Sequence, residues 1–278
     1  MEDKPNYRYY LDEKYDKISR QIFNRFIVIF FCAYLLLMGF TFIFYQNYSY
    51  VTISGKSMMN TLNPNPVEVF TEKGIEYLQD GVYIKHTQNV EHGDIVVIDV
   101  SSQNTEKKTI IKRVIGKEGD FVTIARVDDD YHVIRIIAGT DRPEVLQEEY
   151  IYSYTDWAPN GVAINGVIYD EGFYSNYKNY FNYKSQNFRV EELDDKNVIF
   201  FQVPEDCVFA LGDNRSQSLD SRSRDYGCFE TKQIEGRVVD IVRNGSEYNG
   251  NNLWWFNRIL GFFRTAWKGF LGIFGVNA

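Results

Sequence analysis

Histidine and cysteine are scarce in this chain, with three of each in 278 residues, and their placement excludes several chemistries. His86, His92 and His132 lie in no motif that suggests a Ser-His-Asp triad, so a hydrolase built on this sequence needs another base. No cluster of His, Cys and acidic residues has metal-ligand spacing, and neither a metal site nor a bound cofactor is expected. Cys32 falls inside a long apolar run, which leaves Cys207 and Cys228 as the pair that could bridge. Sequence leaves open whether they do so or remain buried free thiols. Internal repeats and low-complexity linkers are also missing.

Charge is unevenly spread. The net charge is −8, but residues 1–25 carry six basic and five acidic side chains, and the last 28 carry Arg258, Arg264 and Lys268 with no acid. Residues 46–250 are therefore left at about −12. A region this acidic repels phosphate backbones, which argues against nucleic acid as a partner.

What the chain does have is one long apolar run. Phe26–Tyr45 is uncharged over 20 residues, enough to cross about 30 Å of hydrocarbon at 1.5 Å per residue. No polar face interrupts it at helical spacing, as a buried core helix would require. It exceeds the apolar part of a cleaved signal peptide and runs into Gln46-Asn47-Tyr48 with no small-residue cleavage site. A retained anchor is expected. Lys4, Arg8, Lys14, Lys17, Arg20 and Arg25 precede it, and no cation follows until Lys56. The positive-inside rule then places 1–25 in the cytoplasm as a tail, spans the cell membrane once with 26–45, and puts the remainder outside.

Beyond the anchor the pattern is mainly β. Ile95–Val100 and Thr109–Ile115 are apolar, β-branched runs that read as buried strands, and Val122–Ile137 reads as a hairpin around Asp128-Asp129-Asp130. From about 140 to 195 the composition turns to Tyr, Asn and acidic residues, read as an inserted β-rich subdomain. Core character returns at Val198–Phe201, Cys207–Leu211 and Gly236–Val242. The expected division is a catalytic core of 46–139 and 196–250, an insertion of 140–195, and a C-terminal amphipathic helix in 251–278. In that helix Asn257, Gly261, Arg264, Thr265, Lys268 and Gly272 form a polar, basic stripe opposite a broad apolar face. Such a helix is expected to lie in the headgroup plane of an anionic membrane; docking on the protein body is the alternative.

Three segments carry chemistry. Ser54–Leu62 contains Ser57 between Lys56 and Met58. Ile111–Gly116 places Lys112 inside an apolar strand. Gly212–Arg222 (GDNRSQSLDSR) packs turn formers and charges together. A serine hydroxyl needs a base to become a nucleophile, and a lysine can serve if burial disfavours its ammonium and keeps the amine neutral.

In this order behind a single span, the segments resemble type I signal peptidases, Ser-Lys dyad serine proteases that read roughly G-x-S-M-x-P-T-L, K-R-V-x-G and G-D-N-R-x-x-S-x-D-S-R. The resemblance implies a mainly β, signal-peptidase-like core and the cleavage of signal peptides from exported preproteins. It implies Ser57 as nucleophile, Lys112 as general base and the Ser57 backbone N–H as oxyanion donor. Gly55 lies at the oxyanion position where some relatives carry a serine hydroxyl, as in the Gram-positive-like branch. Met58 is implied to wall the substrate pocket, and small residues to be preferred before the cut. Ser218 is implied to orient Lys112, and Asp220 to pair with Arg222 and Arg113, with Asp213 and Asn214 as further supports. Membrane lipid and the secretion machinery enter as partners. Asn60 stands where proline is usual, which is expected to loosen the loop; Ser216 replaces a common acid; and a second Ser-Arg step makes Arg224 a rival to Arg222. A dedicated pilin-type peptidase, or a non-catalytic export or pilus-assembly factor of the same fold, is the alternative.

Overall fold

The computed structural model describes residues 7–63, 67–71, 74–101, 108–127, 130–151, 161–182, 188–193, 195–243 and 254–273. It forms two units, 1–47 and 48–278. The first is dominated by a single helix, α1 (Tyr7–Asn47), whose Tyr15–Asn47 stretch is long and apolar enough to cross a membrane. Its side chains from Phe26 to Leu37 are exposed, as an apolar helix is when nothing but lipid is left to cover it.

The second unit contains β1 (Tyr48–Thr52), β2 (Val67–Thr71), β3 (Gly74–Leu78), β4 (Gly81–Lys85), β5 (Ile95–Asp99), β6 (Thr109–Lys117), β7 (Phe121–Val127) and β8 (Asp130–Ile136). These are followed by β9 (Glu144–Val145), β10 (Gly161–Ile164), β11 (Val167–Asp170), the helix α2 (Glu171–Asn182), β12 (Phe188–Leu193) and β13 (Lys196–Gln202). The chain ends with β14 (Cys207–Leu211), β15 (Phe229–Glu230), β16 (Ile234–Val242) and the helix α3 (Trp254–Ile273). One sheet runs β1-β4-β16-β5-β6-β14-β15; a second runs β10-β11-β7-β13-β12, with β8 on β7 and β9 on β8; β2 and β3 form a separate hairpin. The fold is mainly β, as expected.

The apolar runs at 95–99 and 109–117 pair antiparallel, with Val96 opposite Lys112 and Val97 opposite Ile111. Two apolar clusters flank this pair. Ile53, Met58, Leu62, Val82, Ile84 and Ile111 form one, and Val96, Ile98, Val114, Val208 and Phe229 belong to the other. Lys112 thus lies between residues committed to separate clusters, on a strand with neighbours on both sides.

The structure differs from expectation in two places. The second sheet begins at Phe121 and takes in Lys196–Gln202, so it is wider than a 140–195 insertion. Strands follow their ladder partners rather than changes in composition, and Val122 pairs with Phe201. The tyrosine-rich stretch is also not all β: Glu171–Asn182 is helical. Asp170 Oδ1 caps it by accepting the Phe173 N–H at 2.8 Å. Phe173 and Tyr177, one turn apart, are buried against Phe201 and Phe209. That i, i+4 pair outweighs the strand and turn preference of Tyr and Asn. The hairpin of Val122–Ile137 forms with Val127 opposite Asp130; its turn at 128–129 lies outside the described residues.

Cys207 and Cys228 are free thiols. Burial pushes the Cys228 thiol up to about 12, leaving it an inert core group beside the Tyr177 hydroxyl.

A buried ion pair joins the two layers. Arg215 and Glu148 have side chains 0% and 1% exposed and meet at 2.5 and 3.1 Å. Breaking one partner of such a pair leaves an uncompensated buried charge. Glu148→Gln should therefore cost about 3–5 kcal/mol of stability, whereas the paired apolar replacement Glu148→Leu/Arg215→Met should recover most of it. Thermal unfolding of the detergent-solubilised chain measures both.

Candidate active site

Ser57 lies five residues beyond the end of β1, where the chain makes a single helical turn. Met59 N–H donates to Lys56 O at 3.1 Å and Leu62 N–H to Met58 O at 2.7 Å. The turn sends Met58 and Leu62 into the core, at 1% and 0% exposure, and leaves Ser57 half-buried at the rim. Asn60 has φ of +73°. Asparagine tolerates this left-handed conformation, whereas proline is locked near −65° and cannot adopt it. The departure from proline therefore goes with a different turn rather than with a merely looser one.

The far end of this loop is clasped by residues that no motif pointed to. Asn63 N–H donates to Asp80 Oδ2 at 3.0 Å, Asn63 Nδ2 to Ile53 O at 2.8 Å, and Asp80 N–H to Asn63 Oδ1 at 2.6 Å. Arg243 Nη1 completes the clasp on Asp80 Oδ2 at 2.6 Å.

Lys112 is 3% exposed. Its Nζ lies 2.8 Å from Ser57 Oγ and donates to Ile111 O at 2.7 Å. Burial pushes the amine down to about 8; Asp220 and Asp213 oppose that shift and Arg222 adds to it.

Both carboxylates are neutralised by an arginine of their own. Arg113 donates to Asp213 through Nε at 2.8 Å and Nη2 at 2.6 Å, with its guanidinium 3.9 Å from the centre of the Tyr150 ring. Arg222 donates to Asp220 through Nε and Nη2, each at 3.0 Å, and Gly212 N–H reaches the same carboxylate at 3.1 Å. Burial would raise the Asp220 carboxyl, yet Arg222 holds it below its ordinary value. The expected pairing of Asp220 with Arg222 is present, whereas Arg113 pairs with Asp213: the Arg113 side chain leaves β6 toward the start of the 212–222 loop, not its end. Arg224 is exposed and takes no part.

The loop is fixed to the Ser57 turn through the backbone. Asn214 N–H donates to Ser57 O at 3.0 Å and Asn214 Nδ2 to Lys56 O at 3.2 Å; Ser216, at the usually acidic position, donates to Asn214 Oδ1 at 3.0 Å. Gly212 is required by contact: a Cβ there would lie 2.2 Å from Ser218 Oγ and 2.5 Å from Ser57 O. Ser218 Oγ is buried beside this crossing, close enough to Asp220 to help hold that carboxyl down; among the described residues no hydrogen bond joins it to Lys112. Behind the loop, Arg215 Nε donates to Gly212 O and Arg222 Nη2 to Arg215 O, so Glu148, which sequence reasoning missed, anchors the set through Arg215. No local motif marks Glu148; only its burial reveals it.

A cleft of about 190 Å³ opens beside the Ser57–Lys112 contact, between Val51–Gly55 on one side and Thr109–Lys112 on the other, with Val97 in its lining. Gly55 is exposed, and a Cβ at that position would meet nothing within 4 Å. The described residues contain no metal-binding cluster.

Comparison with known proteins points to a peptidase family. The family described as signal peptidase, peptidase S26, matches residues 23–151 and 155–242. Signal peptidase I P of Bacillus subtilis subsp. natto is 28% identical over 195 residues, covering 68% of this chain and 74% of that protein. Signal peptidase I of Streptococcus pneumoniae serotype 4 is 32% identical over 170 residues, covering 59% and 74%. A crystal structure of a signal peptidase I from Enterococcus faecalis aligns with a TM-score of 0.28 at 21% identity, covering 54% of this chain and 97% of that one. The relatives do not favour the pilin-type or non-catalytic alternative. With most of residues 23–242 matched, the chain belongs to the signal peptidase family, peptidase S26, and is a signal peptidase I that cleaves signal peptides from preproteins.

Proposed function

We propose that this signal peptidase is a single-pass serine endopeptidase in which Ser57 attacks the scissile carbonyl and Lys112 is the general base. The observation that carries the reading is the 2.8 Å contact between Lys112 Nζ and Ser57 Oγ at a buried amine pushed down to about 8. One amine proton is held by Ile111 O, so the lone pair of neutral Lys112 can take the Ser57 proton as Oγ bonds to the carbonyl carbon. The resulting ammonium then protonates the leaving amine, and a water activated by the same amine releases the acyl group from Ser57. The oxyanion falls to the Ser57 backbone N–H, with Gly55 contributing no side-chain donor. Ser218 is assigned to orient the amine during the reaction on the family resemblance and on its burial beside Gly212 and the Ser57 backbone, without a direct hydrogen bond to Lys112 in this structure, while Asp213–Arg113, Asp220–Arg222 and Asn214 hold the supporting loop. The small volume of the cleft favours small side chains such as alanine before the cut; Met58, implied by the resemblance to wall it, is buried in the core cluster beside Ile53 and is not in the lining.

The same reading makes 26–45 a retained span with 1–25 cytoplasmic and the catalytic unit outside, beside lipid and the secretion machinery that delivers preproteins. The six cations ahead of the span support that orientation. Protease added to intact cells should degrade the chain after residue 48 and spare 1–25.

Cleavage of preproteins should rise with pH through about 8 and then level, because only the neutral amine accepts the proton. A profile that is flat from about pH 6 to about pH 9.5 would exclude Lys112 as base. Ser57→Ala and Lys112→Ala should each lower kcat by about a thousandfold or more, read across a panel of preproteins.

Burial of Lys112 also has a cost to stability. A folded-state value near 8 lies below the ordinary 10.5, so the folded state binds the proton less well than the unfolded chain. Stability is therefore diminished at neutral pH and recovers as pH rises from about 8 to about 10.5. The inactive Lys112→Met variant should have a higher Tm than wild type at about pH 7, and the gain should shrink as pH approaches about 10.

A further inference from the structure

The helix α3 turns the stripe that sequence assigned to lipid headgroups toward the protein. Gly261 packs on Val242 and Tyr83, where a Cβ would stand 2.6 and 3.0 Å away, and Thr265 is fully buried. Arg264 Nη2 meets Asp240 Oδ2 at 2.9 Å and Lys268 Nζ lies 3.8 Å from Asp240 Oδ1. Arg258 rests over the Tyr50 ring at 4.4 Å, and Asn257 Nδ2 donates to Arg243 O at 3.1 Å. The three cations of the helix thus have partners within the catalytic unit, supplied by β1 and β16.

The opposite face is apolar and exposed. Phe256, Ile259, Phe263, Trp267, Phe270 and Ile273 recur at three- and four-residue spacing and are 41–78% exposed. A continuous apolar face of this size is rare on a protein surface that meets only water. Its position limits what covers it. Gly269 abuts the Tyr48 ring, where a Cβ would lie 2.7 Å from the hydroxyl, and Tyr48 is the first residue after α1. The helix therefore lies where the chain leaves its anchor.

We propose that the exposed face of α3 is buried in the hydrocarbon edge of the bilayer, and that its cations serve to hold the helix on the catalytic unit rather than to bind anionic headgroups. The proposal rests on the reading of 26–45 as a retained span. Insertion is driven by apolar area, so it should proceed equally in zwitterionic and anionic lipid and resist salt, whereas a headgroup-bound basic helix would need anionic lipid and release at high salt.

The test uses the full chain in vesicles, with Cys32, Cys207 and Cys228 replaced by Ala and single cysteines at Phe263, at Leu36 in the span and at Leu219 on the catalytic unit. Each carries an environment-sensitive nitrobenzoxadiazole label. In pure phosphatidylcholine vesicles, labels at 263 and 36 should both emit to the blue of the label at 219 and be quenched by spin-labelled lipid. Neither result should change by more than about twofold with about 30% phosphatidylglycerol or about 0.5 M salt. Quenching at 36 but not at 263 would overturn the proposal while leaving the anchor intact; no quenching at 36 would overturn the anchor reading itself. Quenching at 263 only in anionic vesicles would show a headgroup site, and shielding at 263 that grows with protein density without lipid quenching would show a second copy; either overturns the proposal. Asp240→Asn, which removes the carboxylate partner of Arg264 and Lys268, should make the signal at 263 newly dependent on phosphatidylglycerol; a signal that stays independent of it would overturn the role given to the cations.

Discussion

On the proposed reading, the contact between Lys112 and Ser57 is useful only while the amine stays dry and no unpaired carboxylate stabilises its ammonium. The two requirements conflict, because the loop that excludes water from the amine brings two buried aspartates with it. An unpaired carboxylate at a distance of about 6 Å, at an effective dielectric near 20, would favour an ammonium by about 3 kcal/mol, enough to undo most of the depression. The structure resolves the conflict by giving each aspartate its own arginine, Asp213 to Arg113 and Asp220 to Arg222. The net field at Lys112 is then small, and desolvation prevails.

These arginine pairs impose a further demand. Asp213, Asp220 and Arg215 are buried, and such charges are tolerated only if each is paired and its remaining hydrogen-bonding groups are met. Gly212 N–H and O, Arg215 O and the Glu148 carboxylate meet them. The lowered pKa of one lysine thus depends, link by link, on the residues before the second sheet's hairpin β10–β11. Glu148 acts at a distance, by preventing Arg215 from becoming an unpaired charge behind the loop.

The legibility of this site in the sequence follows the same distinction. Ser57, Lys112 and Gly212–Arg222 are readable because each departs from its surroundings: a polar loop after an anchor, a lysine within an apolar strand, a dense run of turn formers. Strands 95–99 and 109–117 are readable from continuous β-branched runs. Asn63, Asp80, Arg243 and Glu148 are not, because each matters only through a partner far away in the chain. The same limit hides the partner of Arg113, since both aspartates lie in one loop and only side-chain direction chooses between them. In α2 and α3 the periodicity is visible or recoverable, but not what each face meets. A basic stripe suits a lipid headgroup and an aspartate equally well, and Asp240 decides.

Chain length ties the two ends of the molecule to one chemical purpose. Ser57 is the tenth residue after Asn47, and a fully extended chain covers at most about 3.6 Å per residue, so Ser57 stays within about 36 Å of the end of the apolar helix. The clasp at the other end of the nucleophile loop runs through Asp80 to Arg243, whose carbonyl receives Asn257 of α3. Tyr83 on β4 donates to Arg258 O of the same helix at 3.2 Å. The Ser57 loop is therefore tethered on one side by the chain leaving α1 and braced on the other by contacts to α3. On the proposed reading, a substrate whose own apolar segment remains in the bilayer presents its cleavage site within a few residues of the surface, so the upper limit that the connecting chain sets on the reach of Ser57 restricts the bond by distance as well as by side chain.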